Sequence, residues 1–81
     1  MIVSVKLFAA AKEIVGAPEL TIELPAISDV SVLRQKMQEQ CPALGPLLSR
    51  SSFAVDQRYV TDQFVLNAEQ EIAFIPPVSG G

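Results

Sequence analysis

The chain ends Pro76-Pro77-Val78-Ser79-Gly80-Gly81, and the carboxylate of Gly81 is the group best suited to do chemistry. Proline has no N–H to give a sheet ladder, so Pro76-Pro77 stops a strand and stiffens the exit into extended backbone. The four residues beyond it reach roughly 13 Å when extended at about 3.3–3.6 Å each, enough to enter a partner's active site. Gly80 and Gly81 carry no Cβ, so their backbone can pass a narrow channel and approach a catalyst closely. Gly81 is therefore the candidate reacting residue, and Pro76, Pro77, Val78, Ser79 and Gly80 are the candidates to thread the partner. A Gly-Gly end alone is weak evidence, because the last residues of many domains fray. Its weight comes from following a proline-stopped strand.

Nothing else in the sequence assembles a conventional active site. There is no histidine, so acid–base work would fall to carboxylates, lysines or Tyr59, and no close pair of these stands out. Cys41 is the single thiol, which excludes an intramolecular disulfide and fits a reducing compartment. It falls at the C-terminal end of an expected helix, where the dipole disfavours thiolate, so it reads as a packing residue. Without histidine or a cysteine pair there is no zinc site of the usual kind, and no metal is expected. Gly16, Gly45 and the terminal pair match no phosphate-binding loop. Glu69-Gln70-Glu71 reads as a turn. The chain is not expected to be catalytic alone, nor to bind a cofactor.

Composition narrows the partners. Six basic against nine acidic residues give a net charge of −3. The basic residues are scattered, so a nucleic-acid partner is not expected. No apolar run approaches 18 residues, and Met1 to Lys6 lacks the pattern of a signal peptide, so no membrane association and a cytoplasmic location are expected. At 81 residues one domain is expected, burying only about 60% of the surface its unfolded chain exposes.

The elements that must position the tail follow from periodicity. Val3, Val5 and Leu7 alternate with Ser4 and Lys6, the signature of a half-buried strand. Ala9 to Val15 predicts one or two helical turns ended by Gly16. Leu20, Ile22 and Leu24 predict a second strand that Pro25 ends; it can pair with the first, though not through a tight hairpin. Asp29 or Ser28 caps a helix whose Val30, Leu33 and Met37 share one face, with Arg34, Lys36, Gln38 and Glu39 outside it. Cys41-Pro42 ends that helix. A loop over 43–50 holds a helical turn near Leu47 and Leu48. Phe53 to Val55 predicts a strand, Arg58 to Val60 a short edge strand, and Glu71 to Ile75 the last strand. Two amphipathic strands and one amphipathic helix bury their apolar faces only against one another. The expected fold is α+β, a ubiquitin-like β-grasp: a mixed sheet crossed by one main helix, with a domain over 1–75 and a flexible tail over 76–81.

Phe8-Ala9 followed by Lys12-Glu13-Ile14-Val15-Gly16, Val30 through Leu33-Arg34, and above all Ala73-Phe74-Ile75-Pro76-Pro77-Val78-Ser79-Gly80-Gly81 resemble the MoaD family, the small β-grasp subunits of molybdopterin synthase. The ending is close to that family's Pro-Pro-Val-[Ser/Thr]-Gly-Gly and is the specific part. The chain departs where the family has a Gly-Asp turn before its last strand, here Leu66 to Glu71 without glycine. It departs again where the family's Asn before the edge strand is Asp56. Asn67 and Asp56 tolerate left-handed backbone, so both turns are expected to survive.

The resemblance implies a sulfur-carrier cycle. A MoeB-like partner adenylates the Gly81 carboxylate with ATP, and a sulfur donor converts it to a thiocarboxylate. A MoaE-like large subunit then takes in the tail in a hetero-oligomer, a heterotetramer, and sulfur passes to a pterin precursor of the molybdenum cofactor. The sulfur is carried covalently at Gly81. Alternation along the first and last strands turns Phe8 and Ile75 outward near the tail, with Tyr59 on the outer side of the edge strand. The family carries apolar residues at all three, which makes Phe8, Tyr59 and Ile75 the candidate partner-binding residues. A thiazole-forming carrier of the ThiS type, a ubiquitin-like protein modifier and a plain interaction module are the alternatives.

Overall fold

A computed structural model describes residues 1–77. Its elements are β1 (Ile2–Leu7), α1 (Ala9–Val15), β2 (Glu19–Glu23), β3 (Ser28–Asp29), α2 (Val30–Gln40), a 3-10 turn (Pro42–Leu44), α3 (Gly45–Leu48), β4 (Ser52–Val55), β5 (Arg58–Val60), β6 (Val65–Leu66) and β7 (Ile72–Ile75). Five strands form one sheet in the order β2-β1-β7-β4-β5. Within it β1 and β7 run parallel, and the other neighbours are antiparallel. The main helix α2 covers one face. This is the β-grasp arrangement that the order of elements predicts.

Period-2 alternation decides which face that is. Val3, Val5 and Leu7 of β1, Ile22 of β2, Ile72 and Phe74 of β7 and Phe53 of β4 are all buried, and α2 places Val30, Leu33 and Met37 against them. The Phe53 and Phe74 rings meet at 5.3 Å, tilted by 53°, within the range in which aromatic pairs attract beyond their buried area. Leu33 is fully buried, and burying such a side chain is worth about 1.5–3 kcal/mol. Cys41 is half-buried and packs against this core, as a small apolar residue does.

Local chemistry ends the helices where the sequence predicts. Gly16 takes φ 80°, and its N–H donates to Lys12 O at 2.8 Å to close α1; a left-handed closure suits a residue without Cβ. Asp29 caps α2, its carboxylate accepting from Val32 N at 3.1 Å and from the Ser31 hydroxyl.

Three features go beyond the sequence reading. The two-residue ladder β3–β6 is too short to show a period. In the hairpin between β4 and β5, Asp56 and Gln57 both take positive φ, 50° and 69°, as a two-residue turn with the right twist requires. The Asn67 turn holds differently. Its side chain accepts from Glu69 N at 3.0 Å, and its own N–H donates to Gln70 Oε1 at 2.8 Å, while the backbone stays out of the left-handed region.

Two outcomes test this packing. Leu33→Ala should cost about 2–5 kcal/mol in urea unfolding, the range for truncating a core leucine; a loss below about 1 kcal/mol would place Leu33 at the surface. Asp29 concerns pH. The Ser31 hydroxyl first, then the Val32 N–H, hold its carboxyl below the ordinary range. A carboxyl depressed on folding adds stability above its unfolded value, about pH 4, and loses it as pH falls through the folded value. Wild type should therefore lose thermal stability relative to Asp29→Asn as pH falls below about 4. A difference that does not change with pH would show that these bonds do not favour the ionised cap.

Candidate functional site

The face of the sheet opposite α2 is bare, and strand registers fix what stands on it. Ala54 pairs with Tyr59 on one side and Ala73 on the other, Ala73 pairs with Lys6, and Lys6 with Glu19. Directly paired residues point to the same face, so these five form one row across the sheet. The next row toward the end of β7 holds Ser52 and Ile75. Phe8 follows Leu7, the partner of Phe74, and keeps extended backbone at φ −133°, ψ 155°. The alternation of β1 therefore carries one residue further, and Phe8 stands beside Ile75.

The structure thus brings Phe8 and Ile75 to adjacent strands, as the alternation predicts. Tyr59 shares their face two strands away from Ile75, a separation of roughly 10 Å. Phe8 is 47% and Tyr59 72% exposed, whereas Ile75 is half-buried. Between them lie Ala54, buried, and Ala73, half-buried. Two aromatic side chains therefore stand beside a floor of small residues. The alanines belong to this surface, though only their alternation could have revealed it.

Polar residues border the patch on the side away from the end of β7. Lys6 Nζ lies 3.1 Å from Glu71 Oε2, and the Ser4 hydroxyl donates to Glu19 Oε2 at 3.3 Å. The Lys6–Glu71 pair is half exposed, so it adds little stability. Beside Phe8 a hollow is lined by Lys6, Leu7, Phe8, Ala9, Lys12, Pro18 and Glu19. Ala9 has φ 50° there, the strained step that turns the chain out of β1 into α1. Nothing in an alanine signals such a step.

The strand β7 ends at Ile75, and Pro76 and Pro77 follow as half-buried residues without regular structure. The tail residues Val78, Ser79, Gly80 and Gly81 lie outside the described residues. Among the described residues no group of three or more His, Cys, Asp or Glu side chains comes together to hold a metal ion, and no helix is long and apolar enough to cross a membrane.

A profile of the ThiS family matches residues 5–81. The molybdopterin synthase sulfur carrier subunit of Caenorhabditis briggsae is 44% identical over 81 residues, 98% of this chain and 96% of that one. The subunits of the same name from Homo sapiens and Arabidopsis thaliana are 39% and 34% identical, each over 98% of this chain and over 93% and 82% of their own lengths. Among solved structures, a putative molybdopterin converting factor subunit 1 from Pyrococcus furiosus superposes with a TM-score of 0.84 at 26% identity, over 96% of this chain and 99% of that one. Subunits 1 and 2 of the molybdopterin-converting factor of Helicobacter pylori have been solved as a complex; the matching chain gives a TM-score of 0.71 at 26% identity, over the whole of both chains. The small archaeal modifier protein 1 of Haloferax volcanii shares the fold, with a TM-score of 0.82 at 20% identity over 95% of this chain and 98% of that one. The chain belongs to the ThiS family, and within it to the MoaD group of molybdopterin synthase small subunits.

Proposed function

We propose that this chain carries sulfur at the Gly81 carboxylate for molybdopterin synthase. The observation that carries the reading is the patch of Phe8, Ile75, Ala73, Ala54 and Tyr59 on the bare sheet face, at the end where β7 runs into Pro76-Pro77. An exposed apolar patch with aromatics beside a candidate reactive tail fits a docking surface. The family's sulfur-carrier subunits agree with the tail chemistry, and the solved pair of subunits 1 and 2 supports a large-subunit partner.

The chemistry asks little of the carrier itself. A carboxylate oxygen of Gly81 attacks the α-phosphate of ATP on a MoeB-like partner, pyrophosphate leaves, and the poor leaving group becomes a good one. Sulfide-level sulfur, released by a donor as hydrosulfide, then attacks the acyl carbon and expels AMP, which releases a proton and leaves a thiocarboxylate. At neutral pH this is an anionic sulfur nucleophile without any base on the carrier, so a chain lacking histidine can still deliver sulfur. Inside the MoaE-like large subunit the sulfur passes to the pterin precursor, and hydrolysis of the acyl group restores the Gly81 carboxylate. Pro76 to Gly80 supply reach and a thin profile, while the sheet face fixes where that reach begins. ATP and the sulfur donor belong to the partners' sites.

Intact mass after incubation with the activating enzyme, ATP and a sulfur source tests the chemistry. Exchange of one oxygen for sulfur is the expected result, whereas high-mass lysine conjugates would mark a protein modifier instead. Adding one residue after Gly81, or Gly81→Ala, should abolish sulfur transfer and leave thermal unfolding unchanged; normal synthase turnover by the extended chain would overturn the assignment to Gly81. For docking, Phe8→Ser and Ile75→Ser should weaken large-subunit binding about tenfold or more, as truncating an interface anchor does, with far smaller effects on urea unfolding. Unchanged affinity in titration calorimetry for both variants would place the docking face elsewhere on the domain.

A further inference from the structure

β5 is an edge strand of three residues, bonded to β4 on one side only. Tyr59 at its centre is 72% exposed. A side chain in that position contributes to binding only as far as its strand is already fixed, because ordering it on association subtracts from affinity. The two ends of β5 are held by different means. At the N-terminal end the Asp56-Gln57 turn ties it to β4, and Asp56 exchanges bonds with Glu71: Asp56 N donates to Glu71 O at 2.8 Å, and Glu71 N to Asp56 Oδ1 at 3.0 Å.

At the C-terminal end the anchor is Asp62. Its carbonyl accepts from Ser31 N at 3.0 Å, and its carboxylate accepts from Arg34 Nη2 at 2.8 Å. Arg34 Nη1 donates to Leu48 O and, at 3.0 Å, to Ser51 O, while the guanidinium lies 5.1 Å over the Phe53 ring. Arg34 Nε is buried without an acceptor among the described residues, so the two Nη groups carry the bonding. The Arg34 side chain is 23% exposed, which makes the pair with Asp62 less screened than a surface ion pair. One planar fork thereby joins α2, the approach to β4 and the end of β5, a geometry lysine's single ammonium cannot reproduce.

We propose that Arg34 is a positioning residue for partner recognition: through Asp62 it fixes the open end of β5 and so presents Tyr59 on the docking face. The inference rests on the docking role given above to that face. It differs from plain support of the core because it acts through one contact residue, and that is measurable.

The test is a set of double-mutant cycles, read as affinity for the purified large subunit by titration calorimetry with the full chain. Arg34→Met and Asp62→Ala should each weaken binding roughly three- to tenfold, the scale of coupling between linked residues. In a Tyr59→Ser background neither should weaken it further. In a Phe8→Ser background each should keep its full effect, since Phe8 follows β1 and has no bond to Asp62. If Arg34→Met does not fold, Asp62→Ala carries the test from a half-exposed loop position. Effects that add in full to Tyr59→Ser, or no effect in the wild-type background, would overturn the role of Arg34 and leave the docking face standing. A Tyr59→Ser variant with unchanged affinity would instead remove Tyr59 from the interface, and both readings of it with it.

Discussion

The parallel pairing of β1 with β7, Val5 against Ile72 through Leu7 against Phe74, is the constraint on which the rest of the molecule depends. A parallel pair cannot be closed by a tight turn, so the chain must cross over between its first and last strands. Everything from Phe8 to Glu71 is that crossing. It places β2 outside β1 and β4 with β5 outside β7, and it lays α2 over one face. Because the two central strands point the same way, the end of β7 emerges beside the end of β1. Phe8 and Ile75 are neighbours for that reason alone, although they are far apart in sequence.

The same crossing divides the work of the two faces. The α2 side collects Val3, Val5, Leu7, Ile22, Phe53, Ile72 and Phe74, and in a domain this small nearly all the apolar surface available for stability must be spent there. The opposite face is left with alternate residues that the fold does not need to bury. Phe8, Ile75, Ala73, Ala54 and Tyr59 stand together there near the end of β7, while Ser4, Lys6 and Glu19 bring polar and charged groups to the same face. Alternation in strands with one covered face therefore produces a core and the proposed docking surface from a single pattern. Changes on the outer face can tune partner choice with little effect on folding, because the core lies on the other side of the pleat.

Most of this division is legible in the sequence because a period of two is unambiguous over β1 and β7, and the i, i+3, i+7 spacing of Val30, Leu33 and Met37 is unambiguous for α2. What escapes has physical reasons. A two-residue ladder such as Ser28-Asp29 with Val65-Leu66 is too short to carry a period. Ala9 takes a left-handed backbone with no residue signal, because tertiary packing holds it there. Gln57 does the same next to Asp56, where only the aspartate suggests a turn. Arg34 is the most instructive case. Its place outside the apolar stripe of α2 marks it as a surface residue, yet its partners Leu48, Ser51 and Asp62 come from two later stretches, the approach to β4 and the end of β5. Helical periodicity reports which side of a helix is apolar, and it is blind to polar groups that the rest of the chain folds over.

Carrier function places an unusual demand on a domain of this size. In the proposed cycle the reacting group must reach partner sites, so it cannot be built into the core, yet its starting point must be fixed if a partner is to find it. The fold separates the two requirements. Pro76-Pro77 leave directly from a strand buried on one side and paired on both edges, so the root of the tail inherits the rigidity of the sheet centre. The proposed docking surface lies on that same sheet's outer face, where its distance from the tail root is set by strand spacing and not by a loop. Tyr59 stands on an edge strand that has β4 on one side only. An arginine reaching from the helix layer to the end of β5 supplies there what pairing supplies elsewhere.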